Sequence, residues 1–154
     1  MKNTSVPIDT LAYCAGLFDG EGCIYIKKRV QKAPSRKERS PYYALILKIK
    51  MVHKPTIEFL AQTFGVGTVT RESPGKLNKR VSWRWNVSAR DSVYVLESLR
   101  PYLRLKSAEV DVALEFADAN RRSAFGRNVV PKEVLEHRET LYQKMRALKN
   151  FHWE

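Results

Sequence analysis

Sulfur and imidazole are scarce in this 154-residue chain, which has two cysteines, Cys14 and Cys23, and three scattered histidines, His53, His137 and His152. The cysteines form no CxxC pair, which excludes a structural zinc site. A disulfide framework is not needed either, because a chain of this length can bury a core without staples. Both thiols are expected to be reduced and packed. Long apolar runs are missing as well. The longest, such as residues 42–47, fall far short of the ~20 residues of a membrane span. The opening Met-Lys-Asn-Thr-Ser leads into no apolar signal region, so no membrane partner and an intracellular, cytoplasmic location are expected, with an organelle left open. Negative charge is sparse where it matters most. Residues 27–90 hold 16 Lys and Arg against three acids, Glu38, Glu58 and Glu72, while the whole chain carries +12. The remainder is therefore almost neutral, and a basic half on a neutral scaffold is the electrostatic footprint of a nucleic-acid binder. No basic amphipathic helix accompanies it, which disfavours an anionic membrane surface.

Apolar periodicity supplies the elements. Asp9 and Thr10 are N-cap candidates for a helix through Phe18, ended by Gly20 and Gly22. Residues 23–30 alternate as a strand, residues 31–41 read as a basic loop, and residues 42–52 form a second strand. A helix over 54–64 tolerates Pro55 in its first turn. A third strand follows over 68–72, and Ser73-Pro74-Gly75 breaks it. The fourth, over 80–88, sets Val81, Trp83, Trp85 and Val87 against Arg80, Ser82, Arg84 and Asn86. Asp91 or Ser92 caps a helix stopped by Pro101, another spans 107–120, and after a flexible stretch around Gly126 Pro131 opens a long amphipathic helix.

This order predicts an α+β fold: helix, two strands, helix, two strands, helix, then extra C-terminal helices. One domain over 1–154 is expected, with a core at about 8–120 and a helical extension at about 121–154. The apolar sheet face, both tryptophans included, packs on the helices. The other is an antiparallel, curved, basic surface carrying Tyr25, Lys27, Arg29, Lys48, Lys50, Arg80, Ser82, Arg84 and Asn86, suited to base edges in a major groove. Lys32, Arg36 and Lys37 in the loop, with Arg71 and Lys79 in the hairpin, are expected to add phosphate contacts.

At the end of the first helix stand two carboxylates, Asp19 and Glu21, just before the basic strand. That arrangement suits holding a divalent metal against a phosphate. Cys14-Ala15-Gly16-Leu17-Phe18-Asp19-Gly20-Glu21-Gly22 resembles the signature Leu-Ala-Gly-Leu-Ile-Asp-Ala-Asp-Gly of the LAGLIDADG homing endonucleases. It differs by Cys, Phe, Gly and Glu at the first, fifth, seventh and eighth places. Phe64-Gly65-Val66-Gly67 and residues 99–106 look like further landmarks of that family.

The resemblance implies a sequence-specific double-strand DNA endonuclease that hydrolyses phosphodiester bonds with Mg²⁺, a site that Mn²⁺ or Ca²⁺ can occupy in vitro. It implies that Glu21 is the catalytic, metal-binding carboxylate and that the Gly20 carbonyl is a second metal contact. Asp19 is the other carboxylate, and its place in the last helical turn favours a structural role. A catalytic-site lysine is implied at Lys106, the alternative being an ordinary surface lysine. Lys48 is a further candidate for ordering solvent near the metal.

The signature occurs once, and one carboxylate is too few for an ion that wants six oxygens. A homodimer is expected, joined through Ala12, Ala15, Gly16, Asp19 and Gly20 on the first helix, with a long, partly palindromic DNA target. The alternative is that these small residues pack against their own core. The gene is expected to be free-standing or intron-encoded. A different function is also compatible with these residues: a non-cleaving binder of the same fold, such as an RNA-splicing maturase or a transcriptional regulator, or a basic RNA-packaging protein.

Overall fold

The helix-strand-strand pattern appears twice in succession in the computed structural model, which describes residues 5–30, 40–77, 79–122 and 130–150. Helix α1 (Ile8–Glu21) runs directly into strand β1 (Gly22–Arg29), followed by β2 (Tyr42–Met51) and α2 (Lys54–Phe64). Strands β3 (Thr68–Glu72) and β4 (Ser82–Ser88) come next. Helices α3 (Ala89–Leu99), α4 (Ser107–Arg122) and α5 (Lys132–Lys149) follow, with a 3-10 turn at Arg100–Tyr102 between the first two. The strands make one antiparallel sheet in the order β1-β2-β4-β3, so the α+β expectation holds.

Register decides which residues share a face. Ile24 lies opposite Leu47, Ile26 opposite Leu45, and Leu47 and Ile49 opposite Val87 and Trp85. These side chains are buried together with Phe18, Ile57, Leu60, Leu96, Phe116 and Leu141 from the helices. Each large apolar side chain so buried contributes about 1.5–3 kcal/mol. Trp85 stacks on Phe64 at 5.7 Å and donates its ring N–H to the Val66 carbonyl at 2.9 Å. Trp83 lies on the same face with the Lys54 ammonium 4.6 Å from its ring centre, so both tryptophans serve packing.

Two glycines are fixed by close approach. A Cβ on Gly22 would stand 2.5 Å from the Phe18 carbonyl oxygen and 2.7 Å from the Phe18 ring, so only glycine lets helix pass into strand there. Gly67 has φ +81°, and a Cβ would meet the Asn86 carbonyl oxygen at 2.5 Å.

Several boundaries differ from the sequence expectation. Helix α1 begins before Asp9, because the Pro7 carbonyl accepts the Leu11 N–H at 2.9 Å. Helix α3 begins at Ala89 with Ser88 at its N-cap, ahead of Asp91 and Ser92. Strand β4 starts at Ser82 rather than at residue 80, because its last paired partner in β3 is Glu72. The loop at 31–39 and the stretch around Gly126 lie outside the described residues.

Helix α5 is fastened to the sheet by a polar cluster. Register puts Lys28 opposite Tyr43 on the helix-facing side, away from Lys27 and Arg29. The Glu139 carboxylate accepts from Lys28 at 2.6 Å, from the Tyr43 hydroxyl, and from Gln143 at 2.8 Å. These donors, Lys28 first, hold the Glu139 carboxyl at about 2. A carboxyl depressed in the folded state stabilises above its ordinary value of about 4.5, and that contribution disappears as pH falls through about 2. Glu139 is one-third exposed, so solvent screening reduces the effect to about 1–2 kcal/mol. Urea unfolding of Glu139→Gln is expected to show that deficit at pH 6 and to converge on the unsubstituted protein near pH 2. A pH-independent deficit would contradict this linkage.

Candidate metal centre and nucleic-acid interface

The end of α1 is held by its own last turn and by the segment before α4. The two Asp19 carboxylate oxygens accept the backbone N–H groups of Arg104 at 2.8 Å and Lys106 at 3.0 Å. The Lys106 ammonium donates to the Asp19 carbonyl oxygen. Residues 85 and 87 positions downstream are thereby brought onto the helix terminus. Asp19 has the structural role anticipated for it. Both of its oxygens accept hydrogen bonds within the chain, while the residue itself is only half-buried beside Gly16 and Gly20.

Glu21 is the last residue of α1, and it is exposed. Among the described residues its carboxylate has no hydrogen-bond or ion-pair partner, which leaves its oxygens open to solvent. A helix C-terminus also leaves its final carbonyls without intrahelical donors. The Asp19 carbonyl is taken by Lys106, and the exposed Gly20 carries the next. A free carboxylate with a nearby carbonyl is a hard oxygen donor set, which fits Mg²⁺ or Ca²⁺. Among the described residues no three His, Cys, Asp or Glu gather as a ready-made metal cage. An ion held there would draw its other oxygens from outside the described residues.

Lys48 lies opposite Cys23, two residues beyond Glu21, on the sheet face away from the helices. Its ammonium sits 5.0 Å from the centre of the Tyr25 ring. That open face also carries Lys27 and Arg29 on β1, Lys50 on β2, Arg84 and Asn86 on β4, and Thr68 and Thr70 on β3. Seven predicted residues (Tyr25, Lys27, Arg29, Lys48, Lys50, Arg84 and Asn86) thus share one surface.

Four others do not join it. Ser82 is on the right register but only 1% exposed, so its short side chain presents almost nothing to the open face. Arg71 lies opposite Trp83, and strand alternation turns it to the other face from Thr70 and Glu72. Arg80 is exposed in the bend before β4 rather than on a strand. Lys79 is exposed in the same connection. Lys32, Arg36 and Lys37 lie outside the described residues.

On α1, Ala15 is fully buried in the chain's own core, so it is removed from the expected interface. Ala12, Gly16 and Gly20 remain exposed at four-residue spacing. Beside them are two features that periodicity did not single out: Ile8, 70% exposed, and Tyr13, 55% exposed and packed edge-on against Phe59 at 5.9 Å. Cys14 is buried, which pushes its thiol up to about 11, the behaviour expected of an inert packed cysteine. Cys23 departs from that expectation. It is half-buried on the open face, with the Lys149 ammonium 3.8 Å from its sulfur.

Glu72 was counted in the sequence only as one of three acids, yet it stands on the open face and pairs with Lys50 and Arg84, both at 2.5 Å. Its signal was the strand parity it shares with Thr68 and Thr70. No helix among the described residues is long and apolar enough to cross a membrane.

Comparison with known proteins agrees with this architecture. The sequence profile of the LAGLIDADG endonuclease family matches residues 14–113. The crystal structure of the homing endonuclease I-CvuI in complex with its target and Ca superposes with a TM-score of 0.72 at 21% identity. The match covers 93% of this chain and 83% of that one. The archaeal intron-encoded homing endonuclease I-Vdi141I, complexed with DNA, gives a TM-score of 0.74 at 12% identity, covering 95% of this chain and 87% of that one. The meganuclease I-SmaMI, bound to uncleaveable DNA, gives 0.67 at 17% identity, covering 88% of this chain but 44% of that one. Among curated protein sequences there is no match. At these identities the superpositions establish the fold, and the profile over 14–113, which contains the motif ending at Glu21 and Gly22, establishes kinship. The chain belongs to the LAGLIDADG endonuclease family.

Proposed function

We propose that this protein is a sequence-specific, double-strand DNA endonuclease that works as a homodimer with Mg²⁺. The observation that carries this reading is Glu21: an exposed carboxylate at a helix end, without a partner among the described residues, with Lys106 bound to the Asp19 carbonyl and a basic sheet face beginning at the next strand.

In this reading the sheet face lies in the major groove. Lys27, Arg29 and Lys48 supply phosphate attraction and salt-dependent affinity, while Arg84 and Asn86 reach base edges. Glu21 and the Gly20 carbonyl would hold the divalent ion, which when bound polarises the scissile phosphate and lowers the pKa of attacking water. Asp19 fixes the segment carrying Lys106. The Lys106 ammonium, a short side-chain rotation from its carbonyl partner, offsets charge developing at the phosphate. Lys48 orders solvent beside the attacked phosphorus.

The dimer is supported by the helix itself. Glycine inside a helix is about 0.5–1 kcal/mol less favourable than alanine. Yet a Cβ on Gly16 or on Gly20 would meet nothing within 4 Å in the chain. No contact among the described residues requires these glycines, whereas the close approach of a second α1 would. The twofold difference in coverage of the relatives, 83% against 44%, further supports a unit that works in pairs.

The test is to incubate the protein and Mg²⁺ with a randomised duplex library and map the cuts. Cleavage of both strands at a fixed stagger within a long, near-palindromic site, abolished by EDTA, is expected. Tight binding with no cut in either strand, together with promotion of RNA splicing, would favour the maturase function instead.

A further inference from the structure

Glu72 is the one acidic residue in the four strands. It stands on the open face, diagonal to Arg84 across the β3–β4 ladder, where Thr70 is the residue directly opposite. Its two carboxylate oxygens are divided, one on Lys50 and one on Arg84, each at 2.5 Å. The Lys50 ammonium, the guanidinium of Arg84 and the charge of Lys48 hold its carboxyl below the usual range, so it stays ionised at neutral pH.

A surface built only to attract phosphates gains nothing from an acid at this place. A carboxylate repels the DNA backbone and cancels part of two cations, whereas Lys27 and Arg29 at the opposite edge of the sheet have no such counter-charge among the described residues. Two effects compensate. The carboxylate locks the rotamers of Lys50 and Arg84, so fewer conformations are lost when they meet a base. A carboxylate in the major groove also has a natural partner in the N4 amino group of cytosine, while an adjacent Arg or Lys donates to guanine O6 and N7.

The geometry points to Glu72 as a specificity-determining residue that, with Arg84 and Lys50, reads a G·C pair in the DNA target and discriminates against non-target duplexes. This inference rests on the proposed endonuclease function and deepens it. Arg84 supplies the guanine contact, Glu72 accepts from the paired or neighbouring cytosine, and Lys50 holds the Glu72 carboxylate from its other oxygen. The β1 edge is left as a sequence-neutral phosphate clamp.

The experiment measures binding to duplexes randomised one position at a time, in Ca²⁺, for the unsubstituted protein, Glu72→Gln and Arg84→Gln. Circular dichroism melting verifies that the variants are folded. In Glu72→Gln, cytosine preference at one position of each half-site is expected to fall about tenfold, with adenine gaining there, because an amide pairs with adenine N6 and N7. Binding to non-target DNA is expected to tighten, and Arg84→Gln to relax guanine preference at the same or the adjacent pair. A base profile unchanged in Glu72→Gln, with affinity raised equally for all sequences, would overturn the inference while leaving the endonuclease function standing. An unsubstituted protein with no preference among duplexes would overturn both.

Discussion

Glu21→Gln is expected to lower DNA cleavage by about a thousandfold while leaving target affinity in Ca²⁺ within about threefold. The substitution removes an anionic oxygen donor, and the metal-borne stabilisation of the cleavage transition state is worth several kcal/mol, each 1.4 kcal/mol being tenfold in rate. The fold has no stake in that charge, because the Glu21 side chain is exposed and has no partner among the described residues. Thermal stability should therefore not move. Asp19→Asn offers the contrast. Two backbone N–H groups converge on the Asp19 carboxylate, and loss of charge-assisted acceptance there is expected to destabilise by about 1–2 kcal/mol. The pair of variants, compared by nicking assay and urea unfolding, separates the metal-holding acid from the structural one. A Glu21→Gln protein that cuts at the unsubstituted rate would remove Glu21 from the centre.

The second large effect is expected at Gly16. A Cβ there meets nothing within 4 Å, and replacing the glycine with leucine should stabilise the isolated helix by up to about 1 kcal/mol. Against a second α1 it would hold the two backbones apart. Gly16→Leu is therefore expected to leave the subunit folded and at least as resistant to urea, while weakening self-association by more than about a hundredfold and abolishing double-strand cutting. Sedimentation velocity across a concentration series reads the first effect directly. A variant that still sediments as a dimer would show that the contact lies elsewhere, for instance through Tyr13, Phe59 and the exposed Ile8.

Much of this architecture was legible because it is written locally. The bounds of α2 follow from Pro55 in its first turn and Gly65 after Phe64, and β3 from the break at Ser73-Pro74-Gly75. Alternation in β4 placed Trp83 and Trp85 inside and Arg84 and Asn86 outside, as the register shows. What local pattern could not give is the contact between distant segments. Strand alternation sets Lys28 on the face of Ile24 and Ile26, yet nothing near it names Glu139, 111 positions away, as its partner, and nothing near Asp19 marks the amides of Arg104 and Lys106. Spacing likewise put Ala15 with Ala12 and Gly16. Successive helical residues turn by about 100°, which was enough to carry Ala15 into the core. The end of the β3–β4 hairpin was misjudged because strand length depends on the partner, and β3 stops at Glu72. Arg80 lost its place on the sheet for that reason.

A crystal structure of the protein on its cleavage site with Ca²⁺ would test the whole scheme at its root. Two subunits crossing at Gly16 and Gly20, each delivering its Glu21 carboxylate to an ion at the phosphates to be cut, is the predicted arrangement. A single subunit on the DNA, or two whose Glu21 side chains face solvent far from any bound ion, would contradict it.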